Sequence, residues 1–359
     1  MQGIVKATEE YEEWVDKVLP LDPADLEFKH EQMRTSSFAF LRATFYRWMQ
    51  LFPKTCEDLM SGPDVLAVGD LHIENFGTWR DAEGRLVWGI NDFDEAAWLP
   101  YTNDLVRLAV SFQLAIDASH LKIDIGEACE AILDGYLKSL ETGGAPFVLA
   151  EQHGGLRRLA TGELRNPVAF WDKMAAMAPL KKVKFEEGKT TLLASLPVAD
   201  MPCELKARRA GLGSLGHPRY VALADMCGGK IAREAKALAP SSALWVGLEK
   251  ASTDLLYPQI LQHSVRCLDP FVSFQGIWLV RRLAPDCSRI ELTQLPAERD
   301  ELRLAEAMGR ETANIHLGSR DQILSVINHL ENLPKKWLRK ACATMADEVR
   351  TDFEKYKAN

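Results

Sequence analysis

The sequence predicts an α+β fold in which a β-rich unit interrupts two helical segments: a helical body over 1–191, a β-rich stretch over 192–295 and closing helices over 296–359. Three observations carry this. Apolar residues recur at helical spacing in Ser37–Leu51, Asn103–Ile116, Glu301–Leu317 and Arg320–Leu333. From about Leu192 to Leu295 the pattern changes to short β-type runs, LKARRA, RYVALAD, KIAREAKAL and GIWLVRRLAP, separated by glycines. A length of 359 residues with 47% apolar content suits roughly two domains.

Taken in order, Ser36 or Ser37 is available to cap a buried helix running to Leu51. Gly62-Pro63 breaks the chain, and Asp64–Val68 reads as a strand delivering Gly69-Asp70-Leu71-His72-Ile73-Glu74-Asn75-Phe76-Gly77. A hairpin follows, with Phe76–Arg80 and Arg85–Ile90 joined by a turn at Asp81–Gly84 and ending in Asn91-Asp92-Phe93-Asp94-Glu95. Helices continue to about Glu187. Within the β-rich stretch one helix is expected around Trp245–Val265.

Composition excludes several classes. The formal charge of −8 gives no global attraction for nucleic acid. No apolar run is long enough to span a bilayer, the N-terminus lacks a secretory pattern, and the seven cysteines are scattered with no C-x-x-C pair. The expectation is a cytoplasmic protein without a disulfide framework, a structural zinc site, a nucleic-acid partner or a membrane partner; its oligomeric state is left open.

The chemistry gathers at the hairpin mouth. Symmetric pairing across Asp81–Gly84 sets Asn75 opposite Ile90 and Asp92 opposite Ile73, so the Asn75 amide and the Asp92 carboxylate lie about one diagonal cross-strand step apart, roughly 7 Å. A few oxygen ligands with open positions suit Mg²⁺ bridged to phosphate better than zinc. Asp70 then sits beside the metal, where an acceptor for a hydroxyl proton is wanted. His72 reads as a hydrogen-bonding support, or, as Asp-x-His after an apolar strand, as the start of a two-metal phosphoesterase. The later His motifs of a phosphoesterase are missing; Gly216-His217-Pro218-Arg219 has Arg where the second His belongs.

Gly211-Leu212-Gly213-Ser214-Leu215-Gly216 fits G-x-G-x-x-G. The extended stretch after it argues against a dinucleotide fingerprint, which needs a helix there, and for a strand–glycine–strand phosphate loop with Gly211, Gly213, Ser214 and Gly216 near the phosphates. The next strand offers a cation. Alternation puts Arg233 on one face and Lys230, Glu234 and Lys236 on the other, and both Arg233 and Lys236 remain candidates for nucleotide contact. Arg34, Arg42, Arg281 and Arg282 are weaker anion candidates, His316 reads as a satisfied core residue, and Gln152–Pro202 is the expected source of acceptor specificity.

Asp70 with Asn75 five residues on, followed by Asp92-Phe93-Asp94, resembles the catalytic loop and metal motif of kinase-like phosphotransferases, closest in style to the aminoglycoside and choline kinase branch. Gly69–Asn75 matches that branch's Gly-Asp-x-His-x-x-Asn at every defined position, although Val68 stands where the branch usually has His. The resemblance implies Asp70 as the hydroxyl-orienting base, Asn75 and Asp92 as Mg²⁺ (or Mn²⁺) ligands with Asp94 beside them, Asp104 as a structural acid steadying the loop, and ATP as co-substrate. It also implies a two-lobed protein-kinase-like fold in permuted order, the nucleotide lobe coming after the catalytic loop. The grouping of Met33-Arg34, Ser37–Arg42, Gly69–Gly77, Asn91–Asp94, Gly211–Gly216 and Val280–Leu283 resembles a bacterial family catalogued as domain of unknown function 2252. The expected activity is γ-phosphoryl transfer to a hydroxyl of a small molecule. A nucleotide-binding pseudokinase, a nucleotidyl transferase and a metal-dependent phosphoesterase are the alternatives.

Overall fold

Capping side chains and one threonine divide the N-terminal segment into short helices. The computed structural model describes residues 2–149, 153–154, 156–157, 166–248, 252–287, 289, 292 and 300–359. After α1 (Ile4–Val18), Asp22 caps α2 (Pro23–Met33), accepting from the backbone N–H of Ala24 at 3.1 Å with Pro23 in the first turn. The single helix expected over Ser37–Leu51 is instead two, α3 (Ser37–Ala43) and α4 (Phe45–Thr55). Thr44 leaves helical geometry (φ −127°, ψ 41°) and turns its hydroxyl onto the Phe40 carbonyl at 2.7 Å, the local competition that weakens threonine inside helices. The break sets the Leu41 and Arg42 carbonyls beside the candidate site.

β1 (Asp64–Ala67) is the expected strand. β2 (Phe76–Arg80) and β3 (Leu86–Ile90) form the expected hairpin in a register shifted by one: Phe76, not Asn75, faces Ile90. The turn takes an extra residue because Asp81 closes it, its Oδ1 accepting from the N–H of Glu83 (3.1 Å) and Arg85 (2.9 Å). β4 (Ala97–Pro100) pairs antiparallel with β1, and β5 (Phe147–Val148) adds to β3; the sequence reading anticipated neither. The expected helix after Asn103 is α5 (Thr102–Asp117), almost wholly buried. α6 (Ile125–Thr142) starts at an Asp124 cap and ends at Gly143, whose φ of 78° favours glycine.

α7 (Pro167–Ala175) and α8 (Glu186–Ala194) precede an antiparallel sheet of five strands in the order β6-β7-β8-β10-β9. These are β6 (Glu204–Ala207), β7 (Arg219–Met226), β8 (Gly229–Ala237), β9 (Ser273–Gln275) and β10 (Trp278–Leu283). Leu192 therefore lies in a helix, and strands begin only at Glu204. That helix belongs with the sheet: Leu192 and Leu196 pack with Tyr220, Ala222, Ala235, Trp278 and Val280 on one sheet face, while Met174 of α7 packs with Val221, Leu223, Ala232 and Leu283 on the other. The helix expected around Trp245–Val265 is two short ones, α9 (Ser242–Trp245) and α10 (Tyr257–His263); residues 249–251 between them lie outside the described residues. α11 (Glu301–His316), α12 (Ile323–Asn332) and α13 (Trp337–Lys357) return to the helical body. The fold is thus α+β, and no helix among the described residues is long and apolar enough to cross a membrane.

The crossing of α6 and α11 fixes where α11 sits. A Cβ at Gly309 would overlap the Ile132 carbonyl oxygen, and one at Gly135 would overlap that of Glu306, so the two backbones touch at reciprocal glycines. No rotamer relieves a clash with backbone. Gly309→Ala is expected to destabilise by about 1–3 kcal/mol, read by chemical denaturation; an unchanged midpoint would show that the helices can separate cheaply. The crossing matters for the candidate site because α11 carries His316 to Asp104, behind the Gly69–Asn75 loop.

Candidate functional site

The Gly69–Asn75 loop is held from behind by α5. Asp104 accepts from the backbone N–H of Val68 (2.7 Å) and Gly69 (3.0 Å), and its Oδ2 meets His316 Nε2 at 3.0 Å. His316 Nδ1 meets the Tyr136 hydroxyl at 2.8 Å, so this fully buried histidine is satisfied at both ring nitrogens, as its apolar setting suggested. Asp104 thereby sits where the loop-steadying acid was expected. Asn103 adds a bond from its Nδ2 to the Gly69 carbonyl at 3.3 Å, and Ser111 accepts from Ile73 N–H at 3.1 Å.

Asp70 has a partner that sequence reasoning missed. Arg107 of α5, fully buried, places Nε 3.0 Å from Asp70 Oδ1, adds a second bond from Nη2 to the same oxygen, and reaches the Leu41 carbonyl at 2.8 Å. Its guanidinium lies over the Phe45 and Trp48 rings, 4.8 and 5.0 Å from their centroids. A charged residue inside the apolar period of NDLVRLAVSF was the available signal. Oδ1 is thus anchored, and Oδ2 lies beside Gly213. Burial pushes the Asp70 carboxyl up to about 6, against the opposing pull of Arg107.

The Asn75 amide is oriented by its own loop. Nδ2 donates to the Asp70 carbonyl at 2.7 Å, which leaves Oδ1 for the cavity. The ladder continues past the hairpin, with Asn91 N–H donating to the Asn75 carbonyl at 3.0 Å, so Asp92 follows one residue after Asn75's partner. The one-residue register error therefore leaves Asn75 and Asp92 as near neighbours on adjacent strands.

Asp92 and Asp94 share Lys236. Its Nζ, on a side chain only 2% exposed, pairs with Asp94 Oδ2 and lies 3.7 Å from Asp92 Oδ1. Burial opposes ionisation of both acids. Lys236 nevertheless holds Asp92 below the usual carboxylate range, while burial and the adjacent Asp92 charge push Asp94 above it. Asp94 Oδ1 is buried with no hydrogen-bond partner among the described residues, an acceptor a cation would satisfy. A divalent ion fits the Asn75 Oδ1, Asp92 and Asp94 oxygens in kind. Among the described residues no group of three or more His, Cys, Asp or Glu is arranged to hold a metal.

The two candidate cations separate by face. Lys236 reaches the acids, whereas Arg233 points to the opposite sheet face and lies over Phe271, 4.6 Å from its centroid, so the structure does not bring Arg233 to Asp92. The glycine segment forms successive turns within an Arg208–Pro218 connection rather than a tight hairpin: Ser214 N–H bonds the Gly211 carbonyl at 3.2 Å, and His217 N–H bonds that of Ser214 at 3.2 Å. Gly211 (φ 75°) and Gly216 (φ 97°) need glycine's freedom. A Cβ on Gly213 would lie 3.2 Å from the Arg42 carbonyl and 3.5 Å from Asp70 Oδ2. The glycines thus approach the candidate base itself.

At His72 a supporting hydrogen bond is absent from one ring nitrogen. Its Nδ1 has no hydrogen-bond partner among the described residues, and the ring stands edge-on to Phe38. The loop is supported by Asp104, Asn103 and Ser111 instead. Burial, then Arg42, Arg107 and Arg289, hold the imidazole well below its ordinary value, which keeps it neutral. Arg42 pairs with Glu74 at 2.6 Å, and Arg34 lies over Tyr356. Glu95 also went unforeseen. It ties the acid loop to α9, accepting from Ser242 N–H at 2.7 Å and the Ser241 hydroxyl at 2.9 Å, and burial pushes it up to about 7.

Asp70, His72, Asn75, Asp92, Asp94 and Glu95 line one cavity of about 1040 Å³ between the helical body and the sheet. Its size is at the top of the range for small-molecule sites, roughly 300–1,000 Å³. α7 contributes Phe170 and Lys173 to the wall. Part of the segment expected to set acceptor specificity, residues 152, 155 and 158–165, lies outside the described residues.

Residues 21–153 match a family described as uncharacterized protein conserved in bacteria, DUF2252. Over that segment the chain resembles the DUF2252 family. The segment contains Asp70, His72, Asn75, Asp92, Asp94 and the supporting Asp104 and Arg107, while the Gly211–Gly216 turn and Lys236 lie beyond the DUF2252 match. No curated protein and no solved structure matches the chain.

Proposed function

We propose that this protein is an ATP- and Mg²⁺-dependent phosphotransferase moving the γ-phosphoryl group to a hydroxyl of a small molecule. The observation that carries the reading is the convergence, on one cavity, of an anchored carboxylate (Asp70), an amide oriented by its own loop (Asn75) and an acid pair (Asp92, Asp94) that Lys236 balances from behind the cavity wall. Asp70 would accept the proton of the attacking hydroxyl at Oδ2 while Arg107 holds Oδ1 still. Asn75, Asp92 and Asp94 would hold the ion, which when bound supplies charge neutralisation for phosphoryl transfer. The five-stranded antiparallel sheet, which follows the Gly69–Asn75 loop in sequence, supports the kinase-like permuted reading. The cavity volume leaves room for an acceptor beside a nucleotide.

The test is thermal stabilisation. ATP with Mg²⁺ is expected to raise the melting temperature by several degrees, more than either alone, because a ligand that binds only the folded state stabilises it. Asp92→Ala is expected to abolish the metal-dependent part of that shift. An intact metal-dependent shift in Asp92→Ala would remove Asp92 from the metal site. Binding without turnover in a metabolite extract would favour the pseudokinase reading, a nucleotidylated product would favour nucleotidyl transfer, and phosphate release from model esters without ATP would favour a phosphoesterase.

A further inference from the structure

Arginines crowd one acid on the cavity face of the sheet. Glu234 of β8 is fully buried and takes three guanidinium partners: Arg219 Nη1 at 3.0 Å, Arg281 Nε at 2.9 Å, and Arg208 Nη1. The register explains the meeting. Glu234 stands opposite Arg281 of β10, its neighbour on the same face Lys236 stands opposite Arg219 of β7, and Arg208 follows directly on β6. All three arginines line the cavity.

Such a cluster is not self-sufficient. One carboxylate neutralises one guanidinium, and the next acid that Arg219 and Arg281 feel, Asp92, is already paired with Lys236, so positive charge remains in a place where the Arg219 side chain is only 4% exposed and water screens little. A structural staple would need one arginine. The other donors have a direction: among the described residues Arg281 bonds only through Nε, and its side chain, 26% exposed, faces the cavity. Arg219 is pinned by a second bond, from Nη2 to Ser214 Oγ at 3.2 Å, and a Cβ on Gly211 would come 3.3 Å from that same nitrogen. The glycine turn is therefore packed onto the arginines as well as onto Asp70.

We propose that Arg208, Arg219 and Arg281, gathered on Glu234, form a cradle for the phosphates of a polyphosphate ligand. In the phosphotransfer reading, on which the identity of that ligand rests, this is the nucleotide's triphosphate. The cavity is then polar along its length, with the acid pair at the metal end and an excess of guanidinium at the phosphate end. Arginine suits the second role because its planar fork makes paired bonds to phosphate oxygens. Glu234 is a positioning residue, aiming the guanidiniums without touching phosphate. Lys236 belongs to the acid pair, and Arg233, on the opposite sheet face, has no part in the cradle.

Inorganic tripolyphosphate without metal is the probe, followed by calorimetry at fixed ionic strength. Wild type is expected to bind it. Arg281→Ala and, independently, Arg208→Ala, both on partly exposed side chains, are expected to weaken binding about tenfold or more, with ligand-free melting temperatures close to wild type. Arg233→Ala is expected to bind within about twofold of wild type. No tripolyphosphate binding by wild type, or undiminished binding by both Arg281→Ala and Arg208→Ala, overturns the cradle. Tripolyphosphate binding that ATP does not displace would keep the cradle and remove the nucleotide reading instead.

Discussion

Arg107→Ala is expected to destabilise the folded protein by about 3–5 kcal/mol, because removing one partner of a buried ion pair leaves the other charge stranded. Asp70 is the stranded group: both of its bonds from Arg107 go to Oδ1, and the surrounding burial already pushes its carboxyl up to about 6 with the arginine in place. Without Arg107 it rises further. The sign of the pH dependence follows. A carboxyl raised in the folded state contributes stability below its unfolded value, near 3.8, and that contribution is lost as pH rises through the folded value. The difference between wild type and Arg107→Ala is therefore expected to be smaller at pH 5 than at pH 7.5, in denaturant titrations at both. A pH-independent difference would assign the loss to the Phe45 and Trp48 stacking and the Leu41 carbonyl instead.

Much of this site was legible because its residues are close in sequence. Asp70, Asn75 and Asp92 come from one loop and its adjoining hairpin, so spacing alone nearly placed them. The register slipped by one because a side chain, Asp81, chose the turn length, and hydrophobic alternation does not see side-chain capping. Helix periodicity ran through Thr44 for a similar reason: the apolar spacing continues across it, while the break is made by a hydroxyl bond to Phe40. Arg107 was hidden differently. It lies in the helix after the hairpin, and only the fold shows that its guanidinium reaches back to Asp70. Alternation did separate Arg233 from Lys236, and which of them meets Asp92 and Asp94 needed the tertiary fold, since those acids are far away in sequence. The limit near Leu192 was blurred because α8, whose sequence is helical, packs on the sheet as part of its support.

Asp70→Asn carries the largest expected effect on activity. Under the phosphotransfer reading, loss of a general base lowers kcat by roughly 10²–10⁴-fold, while the KM for ATP should stay within a few-fold because that reading assigns the metal to Asn75, Asp92 and Asp94 and not to Asp70. Asparagine retains an oxygen for Arg107 to donate to, so the loop geometry has a means of surviving; unaltered thermal stabilisation by ATP and Mg²⁺ would verify it. The wild-type pH profile adds a second signature. Asp70 must be ionised to accept a proton, so kcat/KM is expected to rise with pH through about 6 and level off above it, as the base in the free enzyme titrates. Asp70→Asn should lack that inflection, and a variant that keeps wild-type kcat would strip Asp70 of the role. The same ionisation acts on folding in the opposite sense, since stability associated with the raised carboxyl declines as pH rises through that value. Activity and this part of the stability should therefore cross near pH 6, a coupling expected of a base kept reactive by burial and kept in place by Arg107.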